Sequence, residues 1–196
     1  MSAYTRKLVL AGALVLGLIA PSFGQATEPV VKNQGTFEFY LGSYRISDER
    51  FKAVYKEGGA LPGIALSSTL IAGFDFYAEI KAFYKTGTLT YTGEQTKLLL
   101  IPLSLGVRYV LPGDWVLPYA GGGADFYFYY ENNPIATTMN IAKGYHLLGG
   151  LYLQFGKNSP LRLNGRVKYT RIKTMEEGVS VELGGLEYGV GLVIVF

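Results

Sequence analysis

The residues with most capacity for chemistry in this 196-residue chain are a single histidine and a set of acids and bases on alternate positions of apolar segments. His146 would serve as a general base only with a nucleophile and an orienting acid in reach. Asp125 or Glu187 supplies an acid, but no serine lies close along the same segment. Metal sites combine several His or carboxylate ligands, and the spacing offers His146 no second partner. A hydrogen-bonded interior histidine is the simpler reading, and no metal or cofactor is expected. The acids Glu38, Glu79, Asp125 and Glu187 and the bases Lys81, Arg108, Arg162, Arg166 and Lys168 share one face of their segments. Charges enclosed together must pair. Gly121-Gly122-Gly123 runs into Ala124-Asp125-Phe126-Tyr127, more strand and no helix N-terminus, so it suits sheet curvature better than a phosphate loop.

The elements that must position these groups are strands. From the C-terminal end, Phe196, Ile194, Leu192, Val190, Tyr188 and Leu186 alternate with Val195, Val193, Gly191, Gly189, Glu187 and Gly185. A period of two with one greasy face is a β-strand. Eight such segments follow one another: Thr36 to Arg45, one within Gly63 to Ala72 whose phase is unclear, Tyr77 to Lys85, Lys97 to Leu111, Leu117 to Tyr130, Gly144 to Phe155, Leu161 to Ile172, and Leu183 to Phe196. Their connections alternate. Tight turns lie at Gly73 to Phe76, Pro112 to Trp115 and Gly156 to Pro160. Longer loops span Ile46 to Pro62, Thr86 to Thr96, Glu131 to Lys143, and Lys173 to Glu182.

Hydrophobic residues make up 49% of the chain and charged ones 17%, with 26 Gly, 16 Tyr and 11 Phe. That is short of charge for a soluble domain, yet no run in the body approaches the roughly 20 apolar residues of a membrane helix. Strands that turn every second residue to lipid reconcile the two. The aromatics sort accordingly: Phe37, Tyr109, Phe155 and Phe196 at one rim, and Tyr84, Tyr130, Tyr145 and Tyr169 at the other, as two interfacial girdles require. The expected fold is all-β: an eight-stranded, antiparallel, up-and-down transmembrane β-barrel over residues 36–196, its bore filled by side chains.

Arg6 and Lys7 precede an apolar run from Leu8 to Ala20, with small residues before Gln25 and Thr27. This reads as a secretory signal peptide over residues 1–26, cut after Ala26 or alternatively after Gly24, with a periplasmic lead over 27–35. Removing Arg6 and Lys7 takes the 18 basic residues to 16 against 15 acidic ones, so no nucleic-acid partner is implied. The chain has no cysteine, which excludes a lipoprotein anchor, a disulfide framework and thiolate metal sites. The loop from Ile46 to Pro62 mixes Arg50, Lys52 and Lys56 with Phe51 and Tyr55, and could touch lipopolysaccharide phosphates.

Three stretches carry a family resemblance: Pro118-Tyr119-Ala120-Gly121-Gly122-Gly123, Gly144-Tyr145-His146-Leu147-Leu148-Gly149-Gly150, and Tyr188 to Phe196. Over Thr36 to Phe196 the chain resembles the small outer-membrane β-barrels of the OmpA transmembrane-domain, OmpX and OmpW kind. The resemblance implies a Gram-negative outer-membrane protein, and Tyr188, Val190, Leu192, Ile194 and Phe196 then look like the signal read by the barrel-assembly machinery. It implies a monomer among outer-membrane lipids and lipopolysaccharide, with a structural or surface-interaction role and at most slow passage of small solutes. No peptidoglycan-binding domain is expected after Phe196. The alternatives are a small-solute porin and a lipid A-modifying hydrolase. The deacylase type looks for a serine two residues after its histidine, where this chain has Leu148, so no catalytic residue is expected.

Overall fold

The computed structural model describes residues 34–196, apart from 57, 91, 135–136, 157–158 and 177–178. The leader read over residues 1–26, and nearly all of the lead that follows it, lie outside the described residues. Ten strand segments and one helix follow in order: β1 (Gly35–Ile46), α1 (Glu49–Tyr55), β2 (Gly59–Ile71), β3 (Phe74–Lys81), β4 (Phe83–Thr88), β5 (Gln95–Val110), β6 (Val116–Asn132), β7 (Thr137–Gln154), β8 (Leu161–Glu176), β9 (Val179–Glu182) and β10 (Gly185–Val195). β3 and β4 are one strand interrupted at Ala82, and β9 and β10 are one strand interrupted at Leu183 and Gly184. Eight antiparallel strands therefore close a barrel, with β10 paired to β8 on one side and to β1 on the other.

The register runs from Glu38 to Ala65, Glu79, Ser104, Asp125, Gly144 and Ile172 on successive strands. It returns to β1 through the Leu183 and Ser47 backbone bonds, about ten residues above its start. That offset tilts the strands, so a residue's neighbours across the bore are not its ladder partners.

Alternation holds around the wall. Phe39, Leu41, Leu147, Val167 and Val190 face outward, while Glu38, Tyr40, Glu79, Asp125, His146 and Lys168 are buried inside. The undetermined phase of the second strand resolves with Leu61 and Ala65 inward and Ile64 and Leu66 outward. An outward face of this greasiness is costly in water, whereas in a bilayer every exposed methylene is at home. Closure pairs the strand edges around the wall except where β2 and β4 part beyond Pro62, and this pairing is what lets a sheet cross a bilayer.

Three of the four long loops shrink in the structure. β4 runs to Thr88 and β5 begins at Gln95; β6 and β7 extend to Asn132 and back from Thr137; β8 and β9 fill most of 173–182. Backbone groups there pair with each other instead of with water. The fourth loop, expected from Ile46 to Pro62, contains α1. Asp48 caps it, accepting from the N–H of Arg50 at 2.9 Å and of Phe51 at 3.4 Å, and it also accepts from Glu182 N–H at 3.1 Å. Burial alone would raise the Asp48 carboxyl, but these three donors hold it below its usual value. Phe51 and Tyr55, one helical turn apart, are buried in the mouth of the barrel.

One ladder stops early. Pro62 accepts from Ala82 N–H at 3.0 Å but has no N–H to return. Beyond it β4 pairs with β5 alone.

Candidate functional site

The bore is filled in three layers. Toward the α1 mouth lies an apolar cluster that includes Tyr44, Phe51, Leu61, Phe83, Leu100 and Ile172. At the other end Tyr77, Tyr119, Leu148, Tyr152 and Val193 pack together. Between them sits a belt of buried charge.

Glu79 on β3 is its centre. Its Oε1 accepts from Lys81 Nζ at 2.7 Å and from Lys168 Nζ at 2.8 Å, and its Oε2 lies 2.7 Å from Arg166 Nη1. Glu187 on β10 accepts from Lys81 Nζ at 2.7 and 2.8 Å and from Arg166 Nη2 at 3.3 Å. Asp125 on β6 takes Lys168 Nζ at 3.0 Å and the Ser104 hydroxyl on Oδ1, and His146 Nδ1 at 2.8 Å on Oδ2. The Tyr77 hydroxyl meets His146 Nε2. A proton on Nδ1 lets His146 donate to Asp125 and accept from Tyr77. Three acids thus face three bases, all enclosed. The Arg166 guanidinium also lies 3.9 Å from the Tyr40 ring centre.

Glycines make this crowding possible. A Cβ on Gly106 would lie 2.5 Å from the Tyr77 hydroxyl and from the Gly122 carbonyl oxygen, so no other residue fits beneath that ring.

The remaining inward charges are arranged differently. Arg108 lies between Tyr77, Tyr119 and Tyr152, 5.2–5.6 Å from each ring centre, donates to Ser67 Oγ at 2.8 Å and reaches Asp75 at 3.5 Å. Glu38 accepts from Asn164 Nδ2 at 2.7 Å, and Asn164 accepts from the Tyr119 hydroxyl at 2.8 Å. Arg162 sits near the turn end, half-buried, and donates to Gln154 Oε1 at 3.0 Å. So Glu79, Lys81, Asp125, His146, Arg166, Lys168 and Glu187 come together, Arg108 pairs apart with Asp75, and Glu38 and Arg162 bind amides. Tyr77, Ser104 and Asn164 complete these networks.

No protein-family model matches this chain, and no curated protein matches it either. Solved structures do. It is similar to the outer membrane protein OprG from Pseudomonas aeruginosa, at 11% identity over 84% of this chain and 96% of that one, with a TM-score of 0.69. It is also similar to Ail, the attachment invasion locus protein of Yersinia pestis, solved with sucrose octasulfate, at 9% identity over 85% and 100%, with a TM-score of 0.58. Neisserial surface protein A aligns at 14% identity over 84% and 100%, with a TM-score of 0.57.

The fold is that of the small outer-membrane β-barrels.

Set in an outer membrane, the barrel turns its short connections to the periplasm and α1 with the extended strands to the cell surface. Tyr188, Val190, Leu192, Ile194 and Phe196 then all line the lipid face. The mixed basic and aromatic loop surface divides. Phe51 and Tyr55 turn into the mouth, where the Tyr55 hydroxyl donates to Glu131 at 2.6 Å. Lys52 pairs with Glu49 at 2.7 Å, and Arg50 donates to the Ser180 carbonyl. Among the described residues no group of three His, Cys, Asp or Glu is placed to hold a metal.

Proposed function

We propose that this chain is a closed barrel that works as a structural and surface-interaction protein, presenting α1 and the extended strands outside the cell. The observation that supports it is the filling of the bore from mouth to base. An aromatic layer, a charge-balanced belt and a second aromatic layer stand in the path of any hydrated ion. His146 has the acid of a triad but is buried, and its Nε2 is occupied by Tyr77; the reading is non-enzymatic.

In planar bilayers the purified barrel should give brief, small conductance events and long closed intervals. Large steady openings would contradict the filled bore.

A second reading has one observation of its own, the ladder break at Pro62. A cavity of about 460 Å³ opens there on the outer wall, lined by Pro62, Ile64, Ile80, Ala82 and Ile101 with the Lys81 stem. Small apolar solutes would enter sideways at that point without conducting ions. A disulfide between Ala60→Cys and Tyr84→Cys should then slow their entry into vesicles, and unchanged entry would dismiss this reading.

A further inference from the structure

The charges of the belt are buried and paired, but a group of outward cations is neither. Lys143 on β7, Arg171 and Lys173 on β8 and Arg45 on β1 all point outward and are exposed. Lys143 and Lys173 are direct ladder partners. Like charges placed opposite one another destabilise a sheet unless something neutralises them. No ion pair joins any of the four to an acid among the described residues. The acid in register with Lys173 is Glu182, and its Oε1 instead accepts the Ile172 N–H at 2.9 Å.

Their height is what gives them meaning. Arg171 lies two residues beyond Tyr169 and Lys143 two beyond Tyr145, both on the surface side. Arg45 pairs with Leu186, two beyond Tyr188, and its guanidinium lies 5.6 Å from the Tyr188 ring centre. Outward tyrosines mark the membrane interface. One outward step is about 6–7 Å along a strand, which puts the cations at headgroup level. Arg45, Leu186 and Tyr169 form one ladder row, so Arg45 and β8 are two strand spacings apart, roughly 10 Å. On the neighbouring strand β6 the outward residues near the surface end are Phe128 and Tyr130. Lys143, Arg171 and Lys173 sit on the adjacent β7 and β8, and one further outward cation, Lys97, lies two strands from β7 on β5.

We propose that Lys143, Arg171 and Lys173, flanked by Arg45, form a binding site for the phosphorylated headgroup of an outer-leaflet glycolipid. A phosphate seated over the Lys143–Lys173 pair removes their repulsion. Arg171, whose planar fork suits a phosphate's oxygens, adds direction. The acyl chains then run down the apolar wall formed by Leu147, Tyr169 and Leu186. The site rests on the outer-membrane reading, because only there does this level of the wall meet lipid phosphates.

The test is a titration of the folded full chain in detergent micelles, read by native mass spectrometry. Probes are lipid A bearing both phosphates, the same lipid after phosphatase treatment, and inorganic phosphate. Each interfacial cation contributes enough for several-fold tighter binding. The triple variant Lys143→Gln, Arg171→Gln, Lys173→Gln should therefore bind the phosphorylated lipid at least about tenfold more weakly. It should bind the dephosphorylated lipid as the parent does. The loop variant Arg50→Gln, Lys52→Gln, Lys56→Gln should keep its affinity. Equal binding of the two lipids by the parent, loss of affinity in the loop variant alone, or full displacement by inorganic phosphate would overturn the site. Heat-dependent gel mobility and insertion into vesicles are scored for every variant. A parent that does not insert overturns the barrel itself, whereas an inserted parent without phosphate preference overturns only the site.

Discussion

Replacing Glu79 with Gln is expected to destabilise the barrel by about 3–5 kcal/mol, the cost of leaving buried charge without its partner. Glu79 is the acid on which Lys81, Arg166 and Lys168 converge. The amide keeps the shape but removes the charge, so three cations face Asp125 and Glu187 alone, buried away from bulk solvent. Urea unfolding in lipid vesicles, followed by gel mobility, reads the change. A companion variant separates charge from packing. Glu79→Gln with Lys168→Met restores the balance and should recover more than half of the loss, since neighbours in one network are not additive. The belt's larger effect is on register. A one-residue slip of β3 or β8 would turn Glu79 or Lys168 into lipid, so the charges select one closure among several possible ones.

The second large effect belongs to the outer face. Val190 is 65% exposed and lies midway along β10. In water an exposed Val→Arg change would cost little. In a bilayer Val190→Arg should cost about 2–4 kcal/mol, the price of a cation near the midplane. The same change at Arg45's neighbour Leu186, near the interface, should cost about 0–1 kcal/mol by the depth dependence of such substitutions. Equal small effects at both positions in vesicles would mean that neither meets lipid.

How much of this was legible in the sequence follows from what generates each signal. Lipid forces every outward residue of the spanning segments to be apolar, so the two faces of β1, β5, β6, β8 and β10 could be read directly. Above the membrane that demand ends. The outward positions of β4, β7 and β9 include Thr86, Thr88, Thr137 and Glu182, the alternation fades, and strand looks like loop. The helix was hidden by its brevity, although Asp48 as cap with Phe51 and Tyr55 four apart is a helical signature. In the second strand Gly63, Ser67 and Ser68 left the phase undetermined, because small residues suit either face.

Which charges face inward was legible; which charges meet was not. Lys168 and Glu187 are ladder partners, yet Lys168 reaches across the bore to Glu79 and Asp125 while Glu187 takes Lys81 and Arg166. Tilt decides this, and tilt is a property of the closed sheet and not of any one strand. Arg162 lies near the periplasmic rim, beyond reach of the belt, because β8 begins at Leu161, and Ser104 meets Asp125 as its direct ladder partner. The opposed Lys143 and Lys173 likewise become a site only once β7 and β8 are paired.

The central claim is that the apolar face of every strand lies in lipid and the charged face in the bore. The chain has no cysteine, so single cysteines can be introduced and spin-labelled one at a time from Leu186 to Ile194 in protein reconstituted into vesicles. Labels at Tyr188, Val190 and Leu192 should collide freely with oxygen and hardly with a water-soluble nickel complex, whereas a label at the inward Val193 should collide with neither. Free access of the nickel complex to Val190, or the same collision pattern at odd and even positions, would contradict that claim.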